Sequence, residues 1–169
     1  ATRGNHGQSV ALAASQVGMK ATVLVPHGNN PEKNAAMRAF GAELIEHGDD
    51  FQEAYEYSAV LAAEKGLYQI PPYHPWLIEG VGTYALEFLG AEPDLDTVYV
   101  PIGMGSGISG MIAAREGLGL NTKIVGVVSE NAPCYALSFE AGKPVATNAA
   151  DTLASPPDIL PGLALGLTA

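Results

Sequence analysis

The 169-residue sequence has almost no cysteine and few basic side chains. Cys134 is the only cysteine, which excludes an internal disulfide and a thiolate metal cage. The sequence contains eight Lys and Arg residues and 18 Asp and Glu residues, which give a formal net charge of −10. So few cations argue against nucleic acid or an anionic membrane as a partner. No apolar run approaches the roughly 20 residues that span a bilayer, and the first residues, ATRGNHGQ, carry no basic-then-apolar signal segment.

Short apolar runs alternate with segments of helical periodicity. Ala21–Val25, closed by Pro26, is typical of a strand buried on both faces, and Pro31 opens the helix that follows. The pattern predicts strands at 21–25, 43–46, 67–70, 97–102 and 123–129, and helices at 8–17, 31–40, 50–65, 76–89, 106–118 and 133–141. Such a succession indicates an α/β fold with parallel sheets and flanking helices.

Two further regions of the sequence lead to structural expectations. Tyr73, Trp76 and Tyr84 flank the helix at 76–89, and we expect them in the core rather than stacked on a ligand. Residues 151–169 form an atypical tail with three prolines and no clear period, read as a loop, a frayed end or a departure from the rest of the fold.

The stretch Gly103–Gly110 (GMGSGISG) lies between a predicted strand and a predicted helix. Glycines let a backbone approach a ligand closely, and successive N–H groups at a helix N-terminus form a concavity that suits a phosphate. Packing alone would explain a tight strand-to-helix turn, but four glycines in eight residues favour phosphate binding.

The spacing alone leaves the kind of phosphate open. Gly105-x-Gly107-x-x-Gly110 satisfies the dinucleotide fingerprint, and Glu130 ends the next strand about twenty residues on. An NAD-binding Rossmann module is therefore one interpretation. A non-catalytic fragment that binds phosphate without chemistry is another.

A second glycine-flanked segment, TRGNHGQ at residues 2–8, precedes an Ala-rich helix. Polar side chains and free N–H groups at that position suit a carboxylate or a ring hydroxyl, although helix capping by Asn5 would explain them too.

The segment resembles the Ser-x-Gly-Asn-His-Gly/Ala-Gln motif of fold-type-II pyridoxal-phosphate (PLP) enzymes of the threonine/serine dehydratase group. The resemblance continues through ATVLVPHGNNPEKNAAMRAFGAELIEHG and reaches Val98–Gly110, similar to the family's glycine-rich phosphate loop. It covers residues 1 to about 150. It implies an incomplete tryptophan-synthase-β-like fold, with residues 1–72 in a small cofactor-covering domain and 73–150 in a large PLP-binding domain.

The resemblance also implies roles for individual residues. Asn5 would contact the 3′-hydroxyl of the pyridoxal ring. The loop that receives the substrate carboxylate would be formed by Thr2, Arg3, Gly4, Asn5 and His6. The cofactor phosphate would be lined by Gly103, Met104, Gly105, Ser106 and Gly107. His6 favours dehydratase chemistry over β-replacement.

Among the departures of the sequence from the family pattern, two bear on the chemistry. Arg3 stands where serine racemases of the family carry a second serine, which argues against racemase activity; its guanidinium could instead pair with an extra substrate carboxylate. The family's Schiff-base lysine precedes the GNHGQ segment in a Ser-x-Lys-x-Arg context, and no lysine here has that context. All five lysines, Lys33 among them, are interpreted as solvated charges, and we expect the chain to be the central fragment of an enzyme.

The resemblance implies a PLP-dependent ammonia-lyase that converts serine, threonine or a related 3-hydroxy amino acid to a 2-oxo acid and ammonia. We expect no metal site, because the acidic cluster of some relatives is not evident after Val128. The intact enzyme is expected to be a cytoplasmic homo-oligomer with a small amino-acid substrate.

Overall fold

A computed structural model describes residues 1–147 and 163–164, and the chain divides into two compact units, Ala1–Pro72 and Tyr73–Ala169. The first unit contains α1 (Asn5–Gln16), β1 (Thr22–Val25), α2 (Pro31–Ala39), β2 (Glu43–Glu46) and α3 (Phe51–Lys65). The second contains α4 (Pro75–Ala91), β3 (Thr97–Pro101), α5 (Ser106–Gly117), β4 (Lys123–Val128), α6 (Cys134–Ala141) and β5 (Leu163–Ala164).

In the first unit β1 and β2 pair in parallel, with Thr22 opposite Glu43. Side chains from α1, β1, α2 and the residue before β2 form its core: Ala11, Val23, Val25, Met37 and Ala42. The helix starts are capped by short polar side chains. Asn30 accepts hydrogen bonds from the N–H groups of Glu32 and Lys33 at the start of α2, and Asp50 accepts from Glu53 at the start of α3.

In the second unit β3 and β4 pair in parallel, with Thr97 opposite Lys123, and β5 pairs with β4 in the antiparallel sense. Helices α4 and α5 pack on this sheet around a core of Ala85, Leu89, Val100, Met111, Ala114 and Ile124. A smaller cluster of Ile102, Val128 and Ala136 fixes α6 near the carboxyl ends of the strands. These pairings confirm the predicted α/β fold with parallel strands and flanking helices.

Two glycines permit a close approach of α4 and α5. A Cβ atom on Gly110 would lie 3.0 Å from the Gly82 nitrogen and 3.2 Å from the Ile78 carbonyl oxygen. Because those atoms belong to the backbone of α4, they cannot give way as a flexible side chain would. Gly110, the last glycine of the fingerprint spacing, therefore serves helix packing.

The strand predicted at 67–70 is wrong. The described structure has no strand there, because Gly66 takes the left-handed conformation (φ 63°) that ends α3, and the Leu67 N–H bonds back to the Ala62 carbonyl. Leu67, Tyr68 and Ile70 are exposed, and no described strand pairs with them. A local apolar run is therefore not enough to make a strand without a pairing partner.

The expectation that three aromatic residues lie in the core is also wrong. Tyr73, Trp76 and Tyr84 are 48%, 73% and 45% exposed, respectively. Helix α4 turns Ala85 toward the core and the rings of Trp76 and Tyr84 outward, and Tyr73 precedes the helix. The predicted tail lies outside the described residues except for Leu163–Ala164, whose short strand was not predicted. Within the described part, no helix is both long and apolar enough to cross a membrane.

Thr122, the residue before β4, offers a test of the cost of an unsatisfied buried hydroxyl. Its side chain is buried, and its Oγ1 atom is the buried side-chain atom left without a hydrogen-bond partner among the described residues. Thr122→Val should be neutral or should stabilise the fold by about 1 kcal/mol, because the substitution removes a buried polar group that has no partner. Urea denaturation followed by circular dichroism measures the change.

The matched control is Thr2, which is also buried but whose hydroxyl oxygen accepts two hydrogen bonds. Thr2→Val should destabilise the protein by about 1–3 kcal/mol, because two buried donors lose their acceptor. Equal losses for both variants would contradict this account of Thr122.

Candidate functional site

The TRGNHGQ segment is the first turn of α1 and the residues that lead into it. The helix was predicted from Gln8 and begins three residues earlier, at Asn5. The buried Thr2 side chain makes this early start possible. Its hydroxyl oxygen accepts hydrogen bonds from the Gly4 N–H at 3.0 Å and the Gly7 N–H at 3.3 Å, while the Thr2 N–H donates to Leu24 in β1.

This arrangement leaves two donors at the N-terminus of α1. The helix has no side-chain cap at Gly4, and the N–H groups of Asn5 and His6 have no acceptor among residues 1–147. The Asn5 side chain is exposed and His6 is half-buried. Burial lowers the pKa of His6, so its imidazole is neutral at neutral pH. The neutral imidazole therefore adds no charge to the positive potential of the backbone donors and the helix dipole.

Gly7 is a packing residue that sequence reasoning did not single out. A Cβ atom at this position would overlap Thr2 Cγ2 and would lie 2.6 Å from Met37 Sδ and 3.1 Å from Val23 Cγ1. The second glycine of the motif therefore lets the first turn of α1 lie directly on the core. In the sequence this glycine directly precedes the predicted Ala-rich helix, and that position gives no signal of its packing role.

Lys33 is not simply a solvated charge, contrary to the sequence interpretation. It is half-buried, and its side chain lies against Gly4, with Cδ and Nζ each 2.9 Å from where a Cβ would stand. Burial lowers the pKa of its ammonium group. The side chain brings a cation to the same end of α1 that presents the two backbone donors.

The glycine-rich loop follows β3 and leads into α5 at the carboxyl ends of the parallel strands, which is where ligands bind in such sheets. Gly105 precedes the helix with φ +97°, a conformation open to glycine, and no side chain caps the helix. The Ser109 N–H donates to Gly105, whereas the N–H groups of Ser106, Gly107 and Ile108 have no acceptor in the described part of the chain.

The loop leaves room for a group to approach these donors. A Cβ atom on Gly103 or Gly107 would meet nothing within 4 Å, so the backbone is open to close approach on that side. Three N–H donors at a helix N-terminus are the donor set that a phosphate dianion prefers. The residues present therefore fit the phosphate of pyridoxal phosphate.

Two tyrosines that sequence reasoning did not connect with the site contact this loop. The Tyr135 hydroxyl in α6 donates to the Met104 carbonyl oxygen at 2.8 Å, and the Tyr73 hydroxyl lies 3.4 Å from Ser109 Oγ. No sequence signal could have identified them, because the two contacts join residues that are 31 and 36 positions apart.

Other features near the sheet do not form a site. A surface cavity of about 280 Å³ lies at the amino ends of β3 and β4, lined by residues that include Asp94, Asp96 and Asn121. That is the edge opposite the glycine-rich loop. The described residues contain no group of three or more His, Cys, Asp or Glu side chains suited to a metal ion. Glu130, the acidic residue of the dinucleotide interpretation, is exposed after β4.

Comparison with known proteins identifies the family to which the chain belongs. The sequence profile of the family described as pyridoxal-phosphate dependent enzyme matches residues 1–166. The chain belongs to this family. This match confirms the family, the fold class and the family's cofactor, all of which the resemblance at residues 2–8 and 103–110 implied. It favours a pyridoxal-phosphate enzyme over an NAD-binding module.

Two curated relatives are threonine dehydratases. The chain is 37% identical over 146 residues to a biosynthetic L-threonine dehydratase of Salmonella typhimurium, covering 86% of this chain and 28% of the relative. It is 35% identical over 157 residues to the catabolic L-threonine dehydratase of Escherichia coli, covering 92% and 48%. The chain therefore spans less than half the length of these curated relatives.

Solved structures match the fold. A processed threonine deaminase isoform from Solanum lycopersicum has a TM-score of 0.79 at 33% identity, over 89% of this chain and 44% of that one. Maize serine racemase has a TM-score of 0.81 at 29% identity, over 89% and 46%.

Gly7→Ala tests the close contact beneath α1. The added methyl group should destabilise the first unit by about 1–3 kcal/mol, because Thr2 and Met37 occupy its space. Thermal unfolding followed by circular dichroism measures the loss.

Gly80→Ala is the control. This glycine lies inside α4, and a Cβ atom there would meet nothing within 4 Å. Its replacement should stabilise the helix by about 0.5–1 kcal/mol, because alanine loses less backbone entropy than glycine on folding. An unchanged melting temperature for Gly7→Ala would show that the core yields at this point.

Proposed function

We propose that the full-length protein containing this chain is a PLP-dependent ammonia-lyase that converts serine, threonine or a related 3-hydroxy amino acid to a 2-oxo acid and ammonia. The observation that carries the proposal is that both family motifs lie at helix starts. The first N–H groups of these helices have no acceptor among the residues that the structure describes. The threonine dehydratases among the relatives support the choice of reaction.

In the second unit, the proposed role of Gly103, Met104, Gly105, Ser106 and Gly107 is to hold the cofactor phosphate. The N–H groups of Ser106 and Gly107 supply donors directed along the positive end of α5. The Ser106 hydroxyl adds a further donor. Because these donors are fixed by the backbone, they need no rearrangement when a phosphate arrives.

In the first unit, the proposed role of Thr2, Arg3, Gly4, Asn5 and His6 is to receive the substrate carboxylate, and the Asn5 side chain is assigned to the 3′-hydroxyl of the pyridoxal ring. Thr2 acts by shaping the loop, since its hydroxyl is already engaged with Gly4 and Gly7. The N–H groups of Asn5 and His6 are the donors left for a carboxylate. We assign residues 1–72 to the small domain and 73–150 to the large domain of the family fold.

The bound cofactor supplies an electron sink for the electron pair released at the substrate α-carbon. The residues of this chain orient the substrate, because a carboxylate fixed by two N–H donors sets the direction of the Cα–H bond. Arg3 takes no part in an ion pair among the described residues and is available to an additional substrate carboxylate. The cytoplasmic location and the homo-oligomeric state expected from the sequence stay predictions.

The direct test uses the full-length protein. Purified enzyme loaded with pyridoxal phosphate should release a 2-oxo acid and ammonia in equal amounts from L-serine or L-threonine, detected by derivatisation of the oxo acid. Binding of NAD without pyridoxal phosphate would contradict the proposal and support a dinucleotide module. Binding of pyridoxal phosphate with no turnover of any 3-hydroxy amino acid would contradict the lyase assignment.

Gly105→Ala tests the phosphate loop. At φ +97° an L-residue costs about 1–2 kcal/mol of strain, so the loop should move and the affinity for pyridoxal phosphate should fall about tenfold. Titration of the apoenzyme followed by cofactor absorbance measures this. Gly90→Ala, in α4 with open space around it, is the control and should bind as the wild type does.

A further inference from the structure

The Tyr135 side chain reaches from α6 to the glycine-rich loop between β3 and α5. Its hydroxyl donates to the Met104 carbonyl oxygen at 2.8 Å. The same oxygen atom of Tyr135 lies 3.2 Å from where a Cβ of Gly105 would stand, and two ring carbons lie 3.7 Å from it. The tyrosine therefore touches the loop at one peptide group, the one that joins Met104 to Gly105.

That peptide group has a fixed internal geometry. The carbonyl oxygen of Met104 and the N–H of Gly105 lie in one planar trans peptide and point in opposite directions. Since Tyr135 draws the carbonyl toward α6, the Gly105 N–H points away from α6. This N–H has no acceptor in the described part of the chain.

The same peptide would otherwise be easy to rotate. Glycine populates positive and negative φ with little difference in energy, and Gly105 here has φ +97° with glycines on both sides at positions 103 and 107. A rotation of the peptide would exchange the N–H for a carbonyl oxygen, which repels a phosphate. A loop of this composition needs a contact from outside to keep its donors directed one way.

We infer that Tyr135 is a positioning residue for the cofactor phosphate, which locks the Met104–Gly105 peptide so that the Gly105 N–H faces the phosphate. This inference rests on the proposed function. Tyr135 does not touch the phosphate itself and acts through the loop.

The surroundings of Tyr135 suit a permanent donor. Helix α6 is fixed by Ala136, which packs with Ile102 and Val128 at the ends of the strands, so the hydroxyl sits on a rigid base. Burial, together with the nearby Cys134 and Tyr73, raises the pKa of the Tyr135 hydroxyl. The group therefore stays protonated and able to donate across the physiological pH range.

The test compares pyridoxal phosphate with pyridoxal, which has the same ring and no phosphate. In the full-length apoenzyme, Tyr135→Phe keeps the ring beside Gly105 and removes the hydrogen bond. Affinity for pyridoxal phosphate should fall about fivefold to tenfold, the factor that corresponds to one neutral hydrogen bond. Affinity for pyridoxal should not change. The ³¹P chemical shift of the bound cofactor should also move, a readout independent of turnover.

Tyr99→Phe is the matched control, because Tyr99 is an exposed tyrosine on β3 in the same unit, and it should bind both compounds as the wild type does. Equal losses for both compounds in Tyr135→Phe, with a lowered melting temperature, would reduce Tyr135 to a structural residue and overturn the inference. Unchanged affinities and an unchanged ³¹P shift would overturn it too. Wild-type enzyme that binds neither compound would instead overturn the proposed function.

Discussion

The first turn of an α-helix contains N–H groups that have no acceptor within the helix and need one from elsewhere. Both family motifs of the chain lie at such helix starts. At α1 and α5 the structure supplies no side-chain cap. Elsewhere in the same molecule it does so readily, with Asn30 at α2 and Asp50 at α3. Helix α6 also begins without a side-chain cap, so a missing cap does not by itself mark a ligand site. Helices α1 and α5 differ from α6 because they carry the two family motifs.

Much of the fold follows from the sequence. The apolar run at Ala21–Val25, the proline at Pro31 and the glycine-rich stretch at 103–110 each mark a boundary within a few residues of the one observed. These signals are local, so the element boundaries that they mark do not depend on how distant parts of the chain pack. The run at Leu67–Ile70 has the same local character, but a strand exists only if another strand pairs with it.

The candidate site could be located from the sequence but not constructed from it. The motifs at residues 2–8 and 103–110 are contiguous in the chain, so their composition alone directs attention to them. Tyr135, Lys33 and Met37 lie about 30 residues from the loop or turn that they contact. Such contacts depend on how α6 and α2 pack, which no local pattern encodes. Gly110 shows the converse, since a glycine in a binding fingerprint is required here by the neighbouring helix α4.

The absence of a side chain at Gly7 links the interior of the first unit to its surface. The turn of α1 that carries the N–H groups of Asn5 and His6 lies directly against Met37 Sδ and Val23 Cγ1, with no layer of side chains between them. A change in the volume of the core at Met37 would therefore displace those donors. The position of any group that those donors hold would then depend on the volume of residue 37 as well as on the residues of the turn itself.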